Sequence, residues 1–194
     1  MSARPVHGRA PWPAPDELDA AQREVYDAIV GGDRGTDPAF ALTDPEGRLE
    51  GPFNAMVLAP SVGGAQQALG TAIRYRTSLT AREREIAVLA VAHAHRSEFE
   101  RYAHERVALR AGLTESEVAG LADGRAVDSL AADEVLVHAT TLALVARRDL
   151  DDEEFARASR LGERRLAELV ALVGYYEALA LSLRVWRVPL PAGS

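Results

Sequence analysis

Glu100 and His104 lie four residues apart in the stretch SEFERYAHERVALRAG, residues 97–112. On an α-helix that spacing puts two side chains about 40° apart around the axis and one turn apart along it, within contact range. The two residue types are those that move protons near neutral pH, because a carboxylate beside an imidazole raises its basicity. On an unbroken helix, His93, Ser97, Glu100 and His104 would share one polar stripe on an otherwise apolar element. Such a stripe suits a pocket wall. Glu85 joins the set from the preceding segment, REREIAVLAVAHAH. Its apolar flank would desolvate the carboxylate and push its pKa upward. Glu85, Glu100 and His104 are therefore the candidate acid–base residues.

A plainer reading uses the same residues. Ser97 followed three residues later by Glu100 is also a capping-box pattern, so a helix could restart there with Glu100 satisfying backbone donors. Glu100 and His104 would then be a surface pair worth about 0.3 kcal/mol. His93, Glu100 and His104 could offer three metal ligands, but their spacing matches neither H-E-x-x-H nor the E-x-x-H pairs of di-iron bundles. No metal is expected. His93, His95 and His138 are read as helix-surface or core-edge residues, and Tyr175 and Tyr176 in GYYEALAL as packing residues first and pocket lining second.

These residues must be positioned by helices. DELDAAQREVYDAIVGG reads as one, with Asp16 as a plausible cap, Leu18, Val25, Ile29 and Val30 as its apolar face, and Gly31-Gly32 as its end. Residues 33–52 read as loop. Pro60 separates a short helix from one over about Ser61 to Arg76. TARE (Thr80, Glu83), TESE (Thr114, Glu117) and DDEE (Asp151, Glu154) are capping-box starts, and Gly112, Gly124 and Gly162 fall where helices should stop. No segment alternates as a strand does, so the expectation is an all-α fold. REIAVLAVAHA around Glu85 can be laid over AELVALVGYYEA around Glu168, which suggests two related halves. The first fifteen residues carry Pro5, Pro11, Pro13 and Pro15 and read as an extended arm able to wrap a neighbour. Residues 16–194 read as a single all-helical domain.

Composition narrows the chemistry. Twenty-nine acidic against 22 basic residues give a net charge of −7, which repels phosphate backbones and anionic lipid heads, so no nucleic acid and no membrane partner is expected. The N-terminus lacks the apolar core of a signal peptide, and the longest apolar runs are interrupted by Glu, Arg or His, which points to a cytoplasmic location. The chain has no cysteine, hence no thiol nucleophile, disulfide or iron–sulfur cluster. All 22 basic residues are arginine, so no lysine is present for a Schiff base or a phosphate loop.

GPFNAMVLAP and LTAREREIAVLAVAHAHRSEFERYAHERVALRAGLTESEVAGL resemble the carboxymuconolactone decarboxylase superfamily, which includes the alkyl hydroperoxidase D-like proteins. The likeness covers residues 51–125, with ELVALVGYY and RVPLP similar to the longer, two-half members. It implies an alkyl hydroperoxidase D-like helical fold, assembly into a homo-oligomer (trimer or hexamer), and an active site on the helix bearing the first Glu and on the next. In the peroxidase branch a Glu, a C-x-x-C pair and a His form a proton relay. Laid here, that places Glu85, Ser97, Glu100 and His104, with both thiols missing. The decarboxylase branch instead carries an acidic-aromatic-acidic segment before the His, similar to Glu98, Phe99, Glu100 and His104, and needs no cofactor. The resemblance thus implies a cofactor-independent lyase or isomerase of a small lactone or enolisable carbonyl acid, with His104 as acid–base, Glu100 as its orienting partner and Glu85 as a second proton carrier. Ser97, Phe53 and Tyr175 are expected to touch the substrate. Two other readings stay open: a hydroperoxidase-like protein working without its own thiols, and a domain that binds or assembles without catalysing.

Overall fold

The computed structural model describes residues 5–36, 41–125 and 127–191. Among them are ten α-helices and one two-stranded hairpin, so the all-α expectation holds. The chain divides into two compact units, Met1–Tyr75 with Leu181–Ser194, and Arg76–Ala180.

In the first unit the proline-rich arm is not simply extended. Strands β1 (Val6–His7) and β2 (Ala10–Pro11) pair antiparallel around Gly8, whose φ of +65° the tight turn requires. This hairpin is tied to its own chain: the Arg9 amide donates to the Trp186 carbonyl at 2.7 Å and the Trp12 indole N–H to the Leu49 carbonyl at 2.8 Å. Residues 1–4 of the expected arm lie outside the described residues. Helix α1 (Ala20–Val30) begins later than Asp16 suggests. Residues Pro15–Glu17 form a 3-10 turn, and Asp19 makes the reciprocal capping box with Gln22 that Asp16 does not. Val25 and Ile29 are the residues of its apolar face that become fully buried. After α2 (Asp33–Thr36), Pro60 separates α3 (Phe53–Leu58) from α4 (Pro60–Arg76) and opens the latter as its first residue.

The second unit is built around α5 (Ala81–His95), which packs against α6 (Glu98–Arg110), α7 (Glu115–Ala122) and α8 (Ala132–Arg147). Every residue from Glu85 to Ala92 is buried, as a central helix requires. The three capping boxes form as the spacing predicts: Thr80 with Glu83 starts α5, Thr114 with Glu117 starts α7, and Asp151 with Glu154 starts α9 (Asp152–Ala158). Gly112, Gly124 and Gly162 all have positive φ, where a side chain would be strained. At Gly124 an added Cβ would also lie 2.3 Å from Nε2 of His93. Helix α10 (Glu163–Trp186) closes the unit with its residues up to Ala180. It is long and apolar enough to span a membrane by length and composition, with half of its most apolar window buried inside the protein, which is also what a core helix looks like.

Candidate active site

The turn between α5 and α6 makes the site. Arg96 adopts a left-handed conformation (φ 50°) and its amide bonds back to the His93 carbonyl, while the Ser97 amide reaches the Ala92 carbonyl at 2.9 Å. The chain therefore reverses in two residues, and α6 lies back along α5. The unbroken polar stripe from His93 to His104 does not exist, because α5 has ended before Ser97. His93 instead bonds the Ala122 carbonyl at 3.1 Å, and His95 bonds Glu177 at 3.0 Å.

The capping-box alternative for Ser97 and Glu100 is not seen either. Ser97 is the N-cap residue of α6, but its side chain makes no cap hydrogen bond, and neither oxygen of Glu100 has a hydrogen-bond partner. The Ser97 hydroxyl is near enough to favour ionisation slightly; burial dominates and pushes the Glu100 carboxyl up to about 8. Glu100 is 3% exposed. At neutral pH it is mostly a neutral acid able to donate a proton.

Folding α6 onto α5 brings Glu85 to His104. Oε2 of Glu85 lies 2.7 Å from Nδ1 of His104, and both side chains are buried. A carboxylate oxygen accepts and a ring N–H donates, so this bond engages Nδ1 and leaves Nε2 as the ring nitrogen not held by Glu85. The hydrogen-bond partner of His104 is thus Glu85 across the helix interface, whereas the spacing had paired it with Glu100 one turn away. A spacing of four permits contact on a helix; the two-residue turn supplies a better-aligned acceptor.

Among the tyrosines, Tyr176 meets the imidazole, edge-on with ring centroids 5.1 Å apart, and Tyr175 packs on Tyr176 at 5.3 Å. Two adjacent tyrosines on a helix point about 100° apart, and the sequence alone does not say which one faces α6. Phe53 lies in the first unit, buried under the guanidinium of Arg34. Ser97 lines a cleft of about 440 Å³ with His93, Arg96 and Arg101 at the start of α6. Among the described residues no group of three His, Cys, Asp or Glu side chains could hold a metal ion. Glu168, aligned with Glu85 by the internal echo, sits elsewhere: it accepts from the amide and hydroxyl of Ser78 and from Arg164.

Residues 60–148 match the family model described as "Carboxymuconolactone decarboxylase family". No curated protein matches the chain in sequence. The fold is similar to that of an alkylhydroperoxidase AhpD core, an uncharacterized peroxidase-related protein from Ralstonia eutropha JMP134, with a TM-score of 0.76, 15% identity, and 98% of this chain and 95% of that chain covered. It is also similar to the debrominase Bmp8, with a TM-score of 0.71 and 16% identity for the apo form over 90% of each chain. For a cysteine-to-alanine variant of Bmp8 in complex with 2,3,4-tribromopyrrole the TM-score is 0.69 at 15% identity, covering 89% of this chain and 87% of that one. Residues 60–148, from α4 to α8, are thus similar to the carboxymuconolactone decarboxylase family, and the chain shares the helical fold of the alkylhydroperoxidase AhpD core and of Bmp8.

Proposed function

We propose that the protein is a cofactor-independent lyase or isomerase that moves a proton on a small lactone or enolisable carbonyl acid. The observation that carries this reading is the buried Glu85–His104 pair at 2.7 Å beside a neutral, unpartnered Glu100. Two groups on one helix are thereby set to opposite tasks, one to accept a proton and one to give it.

In an isomerisation, Nε2 of His104 takes a proton from the carbon next to the substrate carbonyl. The C–H electron pair moves into the carbonyl, and Glu100 protonates the oxygen or the conjugated carbon. Glu85 stabilises the imidazolium that forms, as a carboxylate hydrogen-bonded to Nδ1 does in other acid–base sites. In a decarboxylation the C–C bond to the carboxylate breaks instead, the pair enters the conjugated carbonyl, and the same acid protonates the carbon. No electron is gained or lost in either route, which fits a chain with neither cysteine nor lysine. The cleft at Ser97, walled by Arg96, Arg101 and Glu98, opens at the start of the helix that carries Glu100 and His104, and neither of these two lines it. Tyr175 takes part through Tyr176.

The test is exchange of substrate C–H for deuterium in D₂O across a panel of lactones and enolisable acids, followed by NMR, with no metal or cofactor added. His104→Gln keeps the shape of the ring's neighbourhood and removes the base, and is expected to slow exchange about 100-fold or more. Exchange at the native rate in that variant refutes the proposal.

A further inference from the structure

Two adjacent threonines on α8 are buried and treated differently. Thr141 donates its hydroxyl to the Val137 carbonyl at 2.8 Å, the usual way a helix satisfies a threonine. Thr140 is 5% exposed and the Leu136 carbonyl stands in the same relation to it, yet among the described residues its hydroxyl makes no hydrogen bond. A buried hydroxyl without a partner is unfavourable, and one that lines a cleft is open to a ligand.

Thr140 lines a cleft of about 200 Å³ between α8 and α9. The rest of the α8 wall is apolar, with Val135, Leu136, Ala139 and Ala143. The opposite wall carries Glu154, Arg157 and Arg160. Glu154 is taken up by the Arg147 guanidinium and the Asp151 amide. Arg157 touches Glu153 at 3.5 Å, but that carboxylate is 88% exposed and water screens the pair. Arg160 donates Nε to the Arg157 carbonyl at 3.3 Å and, among the described residues, pairs with no carboxylate. The rim is thus short of negative charge in a chain that carries −7 overall.

The hydroxyl and the guanidinium lie at one level. The link from Arg148 to Asp151 folds α9 back along α8, and the Arg147–Glu154 pair marks where the two come together. Thr140 is seven residues before Arg147 and Arg160 six after Glu154, so both stand about 10 Å from that pair along the helices. From Thr140 back to Ala132 the lining of α8 stays apolar for about 12 Å. Donors at one level with an apolar wall beyond them fit an anion with a greasy tail. A cleft of about 200 Å³ takes roughly seven groups the size of a water molecule, which admits a short chain and excludes a long-chain lipid.

We infer that this cleft binds a free carboxylate with an apolar tail of roughly six to eight carbons. Its head accepts from the Thr140 hydroxyl and from Arg160 and Arg157, and its tail lies on Ala139, Leu136 and Val135. Neither helix carries Glu85, Glu100 or His104, so the inference is independent of the acid–base reading.

Equilibrium dialysis of the full-length protein against octanoate, below its micelle concentration, tests this. One site per chain with a dissociation constant below about 1 mM is expected. Thr140→Val keeps the side-chain shape without the hydroxyl and should weaken binding about fivefold or more. Arg160→Gln, at an exposed position, should weaken it about tenfold, and both variants should keep native helical circular dichroism. Octanol, with the tail and no charge, should bind at least about tenfold more weakly than octanoate. His104→Gln should bind octanoate as the native protein does. Absence of octanoate binding, octanol bound as tightly as octanoate, or native affinity in either folded cleft variant would overturn the inference. So would loss of binding in His104→Gln, which puts the ligand at the acid–base site, or capture by phosphatidylglycerol vesicles in place of free octanoate.

Discussion

The second unit holds two sets of buried glutamates treated in opposite ways. At the helix starts, Glu117 closes a capping box with Thr114, Glu134 accepts the Ala131 amide, and both meet the guanidinium of Arg82, whose Nε lies 2.6 Å from Oε1 of Glu134 and whose Nη2 lies 3.2 Å from Oε1 of Glu117. The Ser129 hydroxyl adds a bond to Glu117. Hydrogen bonds from Arg82 and from the Thr114 amide hold the Glu117 carboxyl at about 2. A third cap residue, Glu83, is bound in the same fashion by Arg165, which also holds Asp133 at 2.9 Å. One turn into α6, Glu100 is buried with no hydrogen-bond partner on either oxygen, and desolvation raises its pKa to about 8. The residue type is the same and all are shielded from solvent, but Glu100 lies deeper in the protein and desolvation dominates there. The donor count differs, and it separates carboxylates that pin helix ends from a carboxyl that keeps its proton.

Removing the pin should have the largest effect on stability. Arg82→Met leaves Glu117 and Glu134 buried without their cation, and a loss of about 3 kcal/mol is expected in urea unfolding at neutral pH. A change below about 0.5 kcal/mol would show that the cluster is solvated rather than structural.

Glu100→Gln sharpens the other side. The folded-state pKa of Glu100 is raised from the ordinary 4.5 to about 8, so the unfolded chain releases this proton first. Its contribution is full below pH 4.5 and falls by about 1.4 kcal/mol per pH unit until the folded group ionises near 8. The variant should therefore be no less stable than the native protein at pH 9, and its stability should vary less between pH 5 and 8. Deuterium exchange into substrate should also fall, since glutamine cannot supply the proton.

Glu117→Gln has the mirror-image signature. Its carboxyl is lowered to about 2, so the native protein gains stability from it above pH 4.5 and loses that gain as pH falls toward 2. The variant should lack this part of the acid limb, a difference of about 1–2 kcal/mol at pH 6 that shrinks below pH 3. The smallest effect is expected for Tyr176→Phe. The two rings meet nearly perpendicular with centroids 5.1 Å apart, a contact that phenylalanine keeps, so exchange rates should change by less than about threefold; a larger loss would assign the hydroxyl a role in holding substrate.

Local patterns in the sequence were enough for the helix starts. Thr80, Thr114 and Asp151 with their partner glutamates, and the glycines that end helices, are legible because caps are satisfied within four residues. Asp16 misled because two nearby acidic residues both suit a cap, and only Asp19 has a glutamine three residues on to answer it. The site was legible as a set of residues but not as a set of contacts. Glu85, Glu100 and His104 could be singled out; that Glu85 holds the imidazole and Tyr176 lies against it could not.

The sequence by itself determined the all-helical class, the helix boundaries that carry caps, the exclusion of thiol and lysine chemistry, and the residues able to move a proton. Each of these follows from residue type and from spacing within a turn or two. Only the tertiary structure decided which carboxylate is paired and which is stranded. That depends on the reversal at Arg96, on the guanidinium groups that α5 and α10 direct at the helix starts, and on the lack, among the described residues, of a hydrogen-bond partner for Glu100. Pairing between helices is set by where chain segments distant in sequence come to lie, and helical periodicity carries no record of it.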